Sequence, residues 1–173
     1  MSDLKFVFRA TECNGWPKLR LSIDSHTLLE YEFSGPEGEV SLNLDIFSPG
    51  KHTLCIERWG KLDSNVVFQD GKILQDQTVE LKSIWYQDVQ IPESLYWLGV
   101  FYFNDVQIPA GLLWGPNGKW QWDIELPFMK WAIYQHQKKL QPLADIYIPG
   151  CEDIDSLMEE LNSFEKKIYA NRK

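Results

Sequence analysis

The residue types that could carry out catalysis are present, but their spacing forms no known catalytic motif. The sequence contains no GxSxG, no HExxH, no Walker loop and no GxGxxG that opens a helix. The three histidines, His26, His52 and His136, are isolated in the chain. Each is therefore expected to be a surface or packed histidine rather than a general base or a metal ligand. Together these observations predict a protein that is not an enzyme.

Carboxylates leave hydrolysis open as a remote alternative. Glu57, Asp123 and Glu125 are candidates for the paired acids of a glycoside hydrolase, since the separation that matters for that reaction is spatial. All three lie in segments where apolar and polar residues alternate. In such segments the expected role of a carboxylate is that of an outward-facing, solvated side chain.

Acidic residues between positions 60 and 77 offer oxygen ligands of the kind that calcium prefers. The candidates are Asp63, Asp70 and Asp76. The segment lacks the calcium-loop pattern that places a glycine at the middle of the loop and a glutamate at its end. We therefore expect no cofactor and no metal, with calcium at these three carboxylates as the alternative.

Aromatic residues are the strongest lead to function. Eight tryptophans, nine phenylalanines and seven tyrosines in 173 residues suit β-strands, interfaces and surfaces that stack on sugars. Trp120 and Trp122 are two positions apart and share a strand face with the apolar residues that follow, which favours the core for that face. The residues that we expect to contact a partner or a glycan are Trp16, Trp97, Tyr102, Trp114 and Trp120.

Charge and cysteine content exclude several classes of protein. A net charge of −8 argues against nucleic-acid binding, which needs a clustered basic face to displace counterions from phosphates. Three widely spaced cysteines without a CxxC argue against a disulfide scaffold or a zinc ribbon. The uncharged aromatic run 95–103 is about half as long as a membrane span requires. No signal peptide is visible, so we expect a protein that stays in the cytoplasm in which it is made.

The elements that must position these residues are mostly strands. Alternating or β-rich segments predict strands over 4–10, 18–23, 27–33, 40–46, 52–59, 78–86 and 119–126. Their spacing predicts a mainly β fold, an antiparallel two-sheet β-sandwich of jelly-roll type with one C-terminal amphipathic helix. Residues 128–140 are ambiguous between strand and helix. The predicted domain organisation is a sandwich over 1–135 with an aromatic-rich insertion at about 84–126, a linker over 136–151 and a helix over 152–173.

An internal similarity lies near the end of the predicted sandwich. Asp-Val-Gln-Ile-Pro occurs at 88–92 and again at 105–109, within the longer segments 84–97 and 101–114. In each copy an aromatic strand is followed by a polar pair and a short return that ends at proline. This order predicts a strand, a tight turn and a short strand. A true repeat and a coincidence of hairpin sequences are both open. We expect the second copy, with the tryptophans at its edges, to contact the partner.

The C-terminal segment 152–173 is predicted to form an amphipathic helix. Its apolar residues recur at spacings of three and four, acidic residues begin it and basic residues end it. Because an isolated helix of this length is marginal in water, its apolar face must pack on the sandwich or on a neighbouring subunit. A homo-oligomer assembled through this helix is therefore expected. The apolar face consists of Ile154, Leu157, Met158, Leu161, Phe164 and Ile168.

Three segments, 6–10, 15–24 and 50–56, resemble a known fold family. Their sequences are Phe-Val-Phe-Arg-Ala, Gly-Trp-Pro-Lys-Leu-Arg-Leu-Ser-Ile-Asp and Gly-Lys-His-Thr-Leu-Cys-Ile. They are similar to the jelly roll of xylan-binding, calcium-assisted carbohydrate-binding modules, over roughly residues 4–86. The resemblance implies a sandwich that binds polysaccharide. The paired acidic calcium ligands of that family have no counterpart that matches residue by residue.

A second resemblance extends to about residue 135. Lys-Ser-Ile-Trp-Tyr-Gln-Asp-Val-Gln-Ile at 82–91, with the aromatic segments that follow, is similar to small proteins encoded by tailed bacteriophages. It implies a virion or accessory protein. The first expectation is therefore a structural component of a virion (head, neck, tail or fibre) that binds a protein partner through an aromatic surface. The alternative is a glycan-binding module for host surface polysaccharide, and a glycoside hydrolase is the remote alternative.

Overall fold

The structure is a computed structural model that describes residues 3–108 and 111–144. The chain divides into two units, Met1–His136 and Gln137–Lys173, and the core and clefts described below lie in the first. The predicted helix over 152–173, with its six apolar residues, lies outside the described residues. The docking of that helix and the homo-oligomer therefore stay predictions.

Thirteen β-strands and two α-helices are formed within the described residues. Strands β1 to β13 run over Asp3–Thr11, Lys18–Ile23, His26–Glu32, Glu37–Asn43, Gly50–Trp59, Val66–Gln69, Lys72–Asp76, Thr78–Tyr86, Val89–Gln90, Val100–Phe103, Val106–Ile108, Leu113–Trp114 and Gly118–Leu126. Helices α1 and α2 run over Glu93–Tyr96 and Phe128–Ala144. Short 3-10 turns occupy Leu44–Ile46 and Asp63–Asn65.

The strands form two antiparallel sheets and one separate ribbon. Sheet A has the order β12-β8-β1-β4, with β9 also paired to β8. Sheet B has the order β11-β10-β13-β5-β2-β3, and β6 pairs with β7 alone. Every strand pair among the described residues is antiparallel. The predicted mainly β, antiparallel two-sheet sandwich is therefore confirmed.

The sandwich forms because each sheet has one apolar face. In β1 the alternate residues Leu4, Phe6 and Phe8 are fully buried, while the residues between them are only half-buried. The same alternation in β13 buries Trp120 and Trp122. Side chains from both sheets belong to one continuous core. Each fully buried large side chain contributes about 1.5–3 kcal/mol, so this core is the main source of stability.

A row of aromatic rings runs through the core. Ring centroids lie 5.8 Å apart for Phe101 and Trp114, 6.0 Å for Trp114 and Trp120, and 5.6 Å for Trp120 and Trp122. The row continues to Trp131 of α2, whose ring meets that of Trp122 edge-on at 5.5 Å. We call the four tryptophans the indole ladder. The ladder packs the start of α2 against β13.

A buried arginine, Arg58, forms hydrogen bonds at the C-terminal end of β5. Arg58 is 1% exposed, and its guanidinium donates to the carbonyl of Gly115 at 2.5 Å and to Gln77, at the backbone oxygen (2.7 Å) and at Oε1 (3.0 Å). Lys61 Nζ donates to the same Gly115 carbonyl at 2.7 Å and to the Asp76 carboxylate. Burial lowers the pKa of Arg58 to about 10, so it is still charged at neutral pH. These bonds hold the base of the β6–β7 ribbon against the sandwich.

Residues 128–144 form a helix, which resolves the ambiguity of the sequence pattern there. Phe128, Trp131 and Ala132 are buried at spacings of three and four, the period of a helix that packs on a core. The predicted linker over 136–151 is wrong in its first part, because α2 continues to Ala144. Residues 145–151 lie outside the described residues, and the rest of the predicted domain organisation stays a prediction.

The two similar segments both fold as strand, tight turn and short strand. In the first copy Trp85 pairs with Gln90 across the β8–β9 turn, on sheet A. In the second, Tyr102 pairs with Gln107 across the β10–β11 turn, on sheet B. The environments of equivalent residues differ, since Trp97 is 58% exposed and Trp114 is fully buried. The shared sequence therefore specifies a local hairpin, and the sheet that each hairpin joins is set by the rest of the chain.

Candidate functional site

An open cleft of about 670 Å³ lies beside α2 at one end of sheet B. Strands β5 and β13 supply its polar lining, including Thr53, Asp123 and Glu125, and the β2–β3 turn supplies Asp24. Helix α2 supplies Tyr134. With Leu98, which lies between α1 and β10, segments from five parts of the sequence meet in one cleft, which we call the α2 cleft.

The β2–β3 turn fixes the first carboxylate of this cleft. Asp24 adopts a left-handed backbone conformation (φ 49°), which aspartate tolerates better than most residues. Its Oδ1 accepts a hydrogen bond from the backbone N–H of Thr53 at 2.9 Å, and its Oδ2 accepts one from His52 Nδ1 at 2.6 Å. The N–H of Thr53 and then the imidazole of His52 lower the pKa of Asp24. Asp24 is therefore an ionised acceptor held in one orientation.

Both ring nitrogens of His52 are occupied. Nδ1 faces the Asp24 carboxylate, and Nε2 lies 2.8 Å from the carbonyl oxygen of Ser48. A carbonyl can only accept, so Nε2 carries a proton, and the carboxylate favours a second proton on Nδ1. The hydrogen bond to Asp24 raises the pKa of His52, followed by that to Ser48. His52 is therefore a packed histidine that orients Asp24, and it has no free nitrogen with which to act as a base.

A second carboxylate lies on β13, directly across from β5. Asp123 pairs with Thr53 in the register of the two strands, and the Thr53 hydroxyl donates to Asp123 Oδ1 at 2.7 Å. Glu125 pairs with Lys51 two positions further on, and both are exposed. The strand edge therefore presents a row of hydrogen-bonding groups, of which Asp24 and Asp123 are held by bonds to Thr53.

The aromatic part of the cleft comes from α2. The buried stripe of the helix places Trp131 against the core, and Tyr134 lies off that stripe with 59% of its surface exposed. An exposed tyrosine beside a cleft offers a flat apolar face together with a hydroxyl. The α2 cleft thus combines an accessible ring with fixed carboxylates.

Removal of His52 tests the electrostatics of this pair. The raised pKa of His52 gives stability that is complete below its ordinary value of 6.5 and is lost as the pH rises through the raised value. The lowered pKa of Asp24 gives stability that is present above 3.8 and is lost as the pH falls through the lowered value. We expect the melting temperature of the wild type, relative to His52→Gln, to fall as the pH rises from 6.5 through the raised pKa of His52. The pair is partly exposed, so the effect is at most about 1 kcal/mol. Parallel pH profiles for the two proteins would contradict this assignment.

The five aromatic residues that were predicted to contact a partner or a glycan lie in different parts of the structure. Trp16 is half-buried and packs partly on the core. Trp97 is 58% exposed beside a pocket of about 270 Å³. Tyr102 is half-buried and lines a different cleft of about 300 Å³. Three separate surfaces result, and none of these side chains lines the α2 cleft.

Trp114 and Trp120 are wrong as surface residues. Both are buried within the indole ladder, at 0% and 1% exposure. Trp120 lies on the inward face of β13, as the alternation of that strand favours. Trp114 is buried because β12 pairs with β8 and places its ring between those of Phe101 and Trp120. An expected partner contact through these two rings is therefore excluded in the folded protein.

The three acidic residues considered for calcium do not fit that ion. Asp76 accepts from Lys61 Nζ, so this carboxylate is already paired with a cation. Asp70 lies at the tip of the β6–β7 ribbon, and Asp63 begins a 3-10 turn before β6. Among the described residues no three histidine, cysteine or acidic side chains group closely enough to hold a metal ion. The donor set therefore gives no calcium site at these positions.

Glu57 is the last of the three carboxylates that were considered for glycoside hydrolysis. Glu57 Oε2 accepts from Arg20 Nη1 at 3.1 Å and is thus tied into an ion pair. Asp24 and Tyr134 are not among the site residues predicted from the sequence. Tyr134 could have been found from the helical spacing of Phe128, Trp131 and Ala132, which leaves position 134 outside the buried stripe. Asp24 carries no such signal, because its neighbours in the cleft are distant in sequence.

Within residues 3–108 and 111–144, no helix is long and apolar enough to cross a bilayer.

Comparison with known proteins gives two weak structural matches. The sequence matches no protein-family model and no curated protein. A solved structure of vCBM60 in complex with galactobiose matches with a TM-score of 0.47 and 8% identity, over 70% of this chain and 99% of that chain. A selenomethionine form of vCBM60, described with two families of calcium-dependent carbohydrate binding modules that circular permutation links, matches with a TM-score of 0.46 and 10% identity, over 70% of this chain and 90% of that chain. The xylan type and the bacteriophage context stay predictions.

Proposed function

We propose that this protein is a non-catalytic glycan-binding module and that the α2 cleft is its binding site. The observation that carries the proposal is the exposed Tyr134 ring in a cleft that also contains the fixed carboxylates of Asp24 and Asp123. A pyranose ring has an apolar face of C–H groups and an edge of hydroxyl groups. The aromatic ring suits that face, and ionised carboxylates accept strong hydrogen bonds from hydroxyls.

The carboxylates of the α2 cleft are held in place before a ligand binds, which favours affinity. Asp24 is held by the N–H of Thr53 and by His52, and Asp123 is held by the Thr53 hydroxyl. Acceptors that are already oriented lose little conformational entropy when a sugar binds, so more of the hydrogen-bond energy contributes to affinity. The openness of the cleft to solvent suits a ligand that is part of a longer chain.

The same geometry argues against glycoside hydrolysis. A glycosidase needs one carboxyl that stays protonated near neutral pH, so that it can donate to the leaving oxygen. The pKa of Asp24 is lowered, which keeps this carboxyl ionised. Both nitrogens of His52 are occupied and cannot take over the role. Neither Asp24 nor His52 therefore supplies the acid that a glycosidase needs.

Replacing Tyr134 with alanine tests the proposal directly. We expect affinity for the best neutral oligosaccharide of a glycan panel to fall at least about tenfold, because loss of the ring removes the stacking contribution. Tyr134→Phe keeps the ring and should bind within a few-fold of the wild type. The measurement is isothermal titration calorimetry, with circular dichroism to confirm that each variant is folded.

Trp97→Ala provides a matched control for this experiment. Trp97 is as exposed as Tyr134 but lines a different pocket, so its loss should leave the affinity unchanged. Flat titrations of the wild type across neutral and acidic glycans would overturn the proposal, as would equal binding by the wild type and Tyr134→Ala.

The expected role in a virion is a separate proposal that rests on the sequence resemblance. Trp97 is the strongest residue for a protein contact, because it is exposed at the edge of the first hairpin copy. A glycan-binding module and a virion protein are compatible, since a surface component of a virion can recognise host polysaccharide.

A further inference from the structure

We infer that the outer face of sheet B is one continuous binding face for a linear, uncharged polysaccharide, which runs along β5 and β13 from the α2 cleft to a second cleft. This inference rests on the proposed function and deepens it. The class of ligand is a linear, uncharged polysaccharide, and the second cleft adds a second group of contacts.

The second cleft lies on the same two strands as the first. It has a volume of about 300 Å³ and is lined by Trp59 and Glu57 of β5, Lys119 of β13, and Tyr102 of β10. We call it the Tyr102 cleft. A strand rises about 3.4 Å per residue, so Lys119 in this cleft and Asp123 in the α2 cleft are about 14 Å apart along β13. A disaccharide in one cleft does not reach the other, whereas a longer chain does.

The strand register makes the surface between the clefts continuous. On β13 the outward residues are Lys119, Gln121 and Asp123, and each faces an outward residue of β5. Gln121 pairs with Cys55, which in turn pairs with Ser22 of β2. All three are half-buried, and none carries a bulky or charged group. The floor between the two clefts is therefore a polar, unobstructed row.

The basic side chains of β2 on this face are paired with carboxylates. Arg20 Nη2 lies 2.8 Å from Glu30 Oε1, and Arg20 Nη1 lies 3.1 Å from Glu57 Oε2. Lys18 Nζ lies 3.2 Å from Glu32 Oε2 at the same end of the sheet. A polyanion such as nucleic acid requires an unpaired basic surface, which these ion pairs do not provide. A neutral ligand with many hydroxyl groups is the occupant that matches paired charges and amide groups.

The face also lacks the exposed hydrophobic side chains through which another protein would dock. Among the described residues, the large hydrophobic side chains with high exposure lie outside β2, β5 and β13. Rings are instead found at the two ends of the row, with Tyr134 at one end and Tyr102 at the other. The neighbouring ring of Trp59 is covered by Lys18 and Arg20, whose charged groups lie 5.6 Å and 5.1 Å from its centroid. Rings at intervals along a polar groove suit a chain of repeating sugar units, in which every unit has a stacking face.

Titration with oligosaccharides of increasing length tests the inference. The probes are xylo-, cello- and galacto-oligosaccharides from disaccharide to hexasaccharide, titrated by calorimetry against the full chain. We expect the hexasaccharide of the preferred series to bind at least about tenfold more tightly than its disaccharide, because the two clefts then act on one ligand. Tyr102→Ala should bring this ratio close to one, and Gln121→Trp, which raises an obstacle in the floor, should do the same.

Phe103→Ala is the matched control, because Phe103 is an exposed aromatic next to Tyr102 that lies outside the Tyr102 cleft. It should keep the ratio of the wild type. A disaccharide that binds as tightly as the hexasaccharide would overturn this inference and leave the proposed function intact. A ratio that survives in both Tyr102→Ala and Gln121→Trp would overturn it as well. No binding at any length would overturn both proposals together.

Discussion

Replacement of Arg58 by methionine is expected to lower the free energy of unfolding by about 3 kcal/mol. The side chain makes three hydrogen bonds, one to Gly115 and two to Gln77. Bonds from a charged donor contribute about 1.5–3 kcal/mol each, and methionine would leave the acceptors without this donor. Removal of the buried charge, whose cost is evident in a pKa lowered to about 10, offsets part of the loss. The measurement is urea unfolding at equilibrium, followed by tryptophan fluorescence.

Arg20→Met is the control for Arg58→Met. Arg20 lies on the neighbouring strand and also forms hydrogen bonds, but its side chain is 35% exposed and its partners are carboxylates on the surface. Such pairs contribute little to stability, because solvent screens the interaction between the charges. If Arg58→Met were no more destabilising than Arg20→Met, the buried guanidinium would not be what holds Gly115 and Gln77 in place.

Substitution of Gly99 by alanine is expected to destabilise the protein by about 3 kcal/mol, at the upper end of the usual cost of overpacking. A Cβ atom at this position would overlap the indole of Trp120. That ring cannot move aside freely, because it is fully buried and lies between Trp114 and Trp122 in the indole ladder. The backbone that leads into β10 must therefore shift. Thermal and urea unfolding of Gly99→Ala would measure the effect.

Two further variants separate the overlap from a general effect of removing glycine. Gly35 has open space around its Cα and no left-handed backbone, so Gly35→Ala should change stability by less than about 0.5 kcal/mol. Gly99→Ala combined with Trp120→Phe should be less destabilising than the sum of the two single changes, because the smaller ring makes room for the methyl group. Strict additivity would show that the overlap is not the cause.

The strands could be predicted from the sequence because alternation is a local property. Lys18–Ile23 and Gly118–Leu126 alternate cleanly, and both are strands with one buried face. The pattern of 128–140 was ambiguous, since a short apolar run fits a strand or a helix until its neighbours are known. The contact between Phe128 and the core, which the sequence does not encode locally, decides in favour of the helix.

The candidate site could be predicted only in part, because it is assembled from distant segments. Asp24, Thr53, Asp123 and Tyr134 come together only when the β2–β3 turn, two strands and α2 are in place. Aromatic content predicted stacking surfaces, but composition does not distinguish an exposed ring from a buried one. Trp97 and Trp114 show this limit, since they occupy equivalent positions of similar sequences and differ completely in burial.

The indole ladder also has an optical consequence. Its tryptophan rings lie 5.5 to 6.0 Å apart, from Trp114 through Trp120 and Trp122 to Trp131. At such separations the transition dipoles of neighbouring indoles couple, and an absorbed photon is shared among them before it is emitted. The contribution of these four tryptophans to the near-ultraviolet circular dichroism is then a property of the stack as a whole. The four rings thus act as one chromophore whose signal depends on the packing of α2 against sheet B.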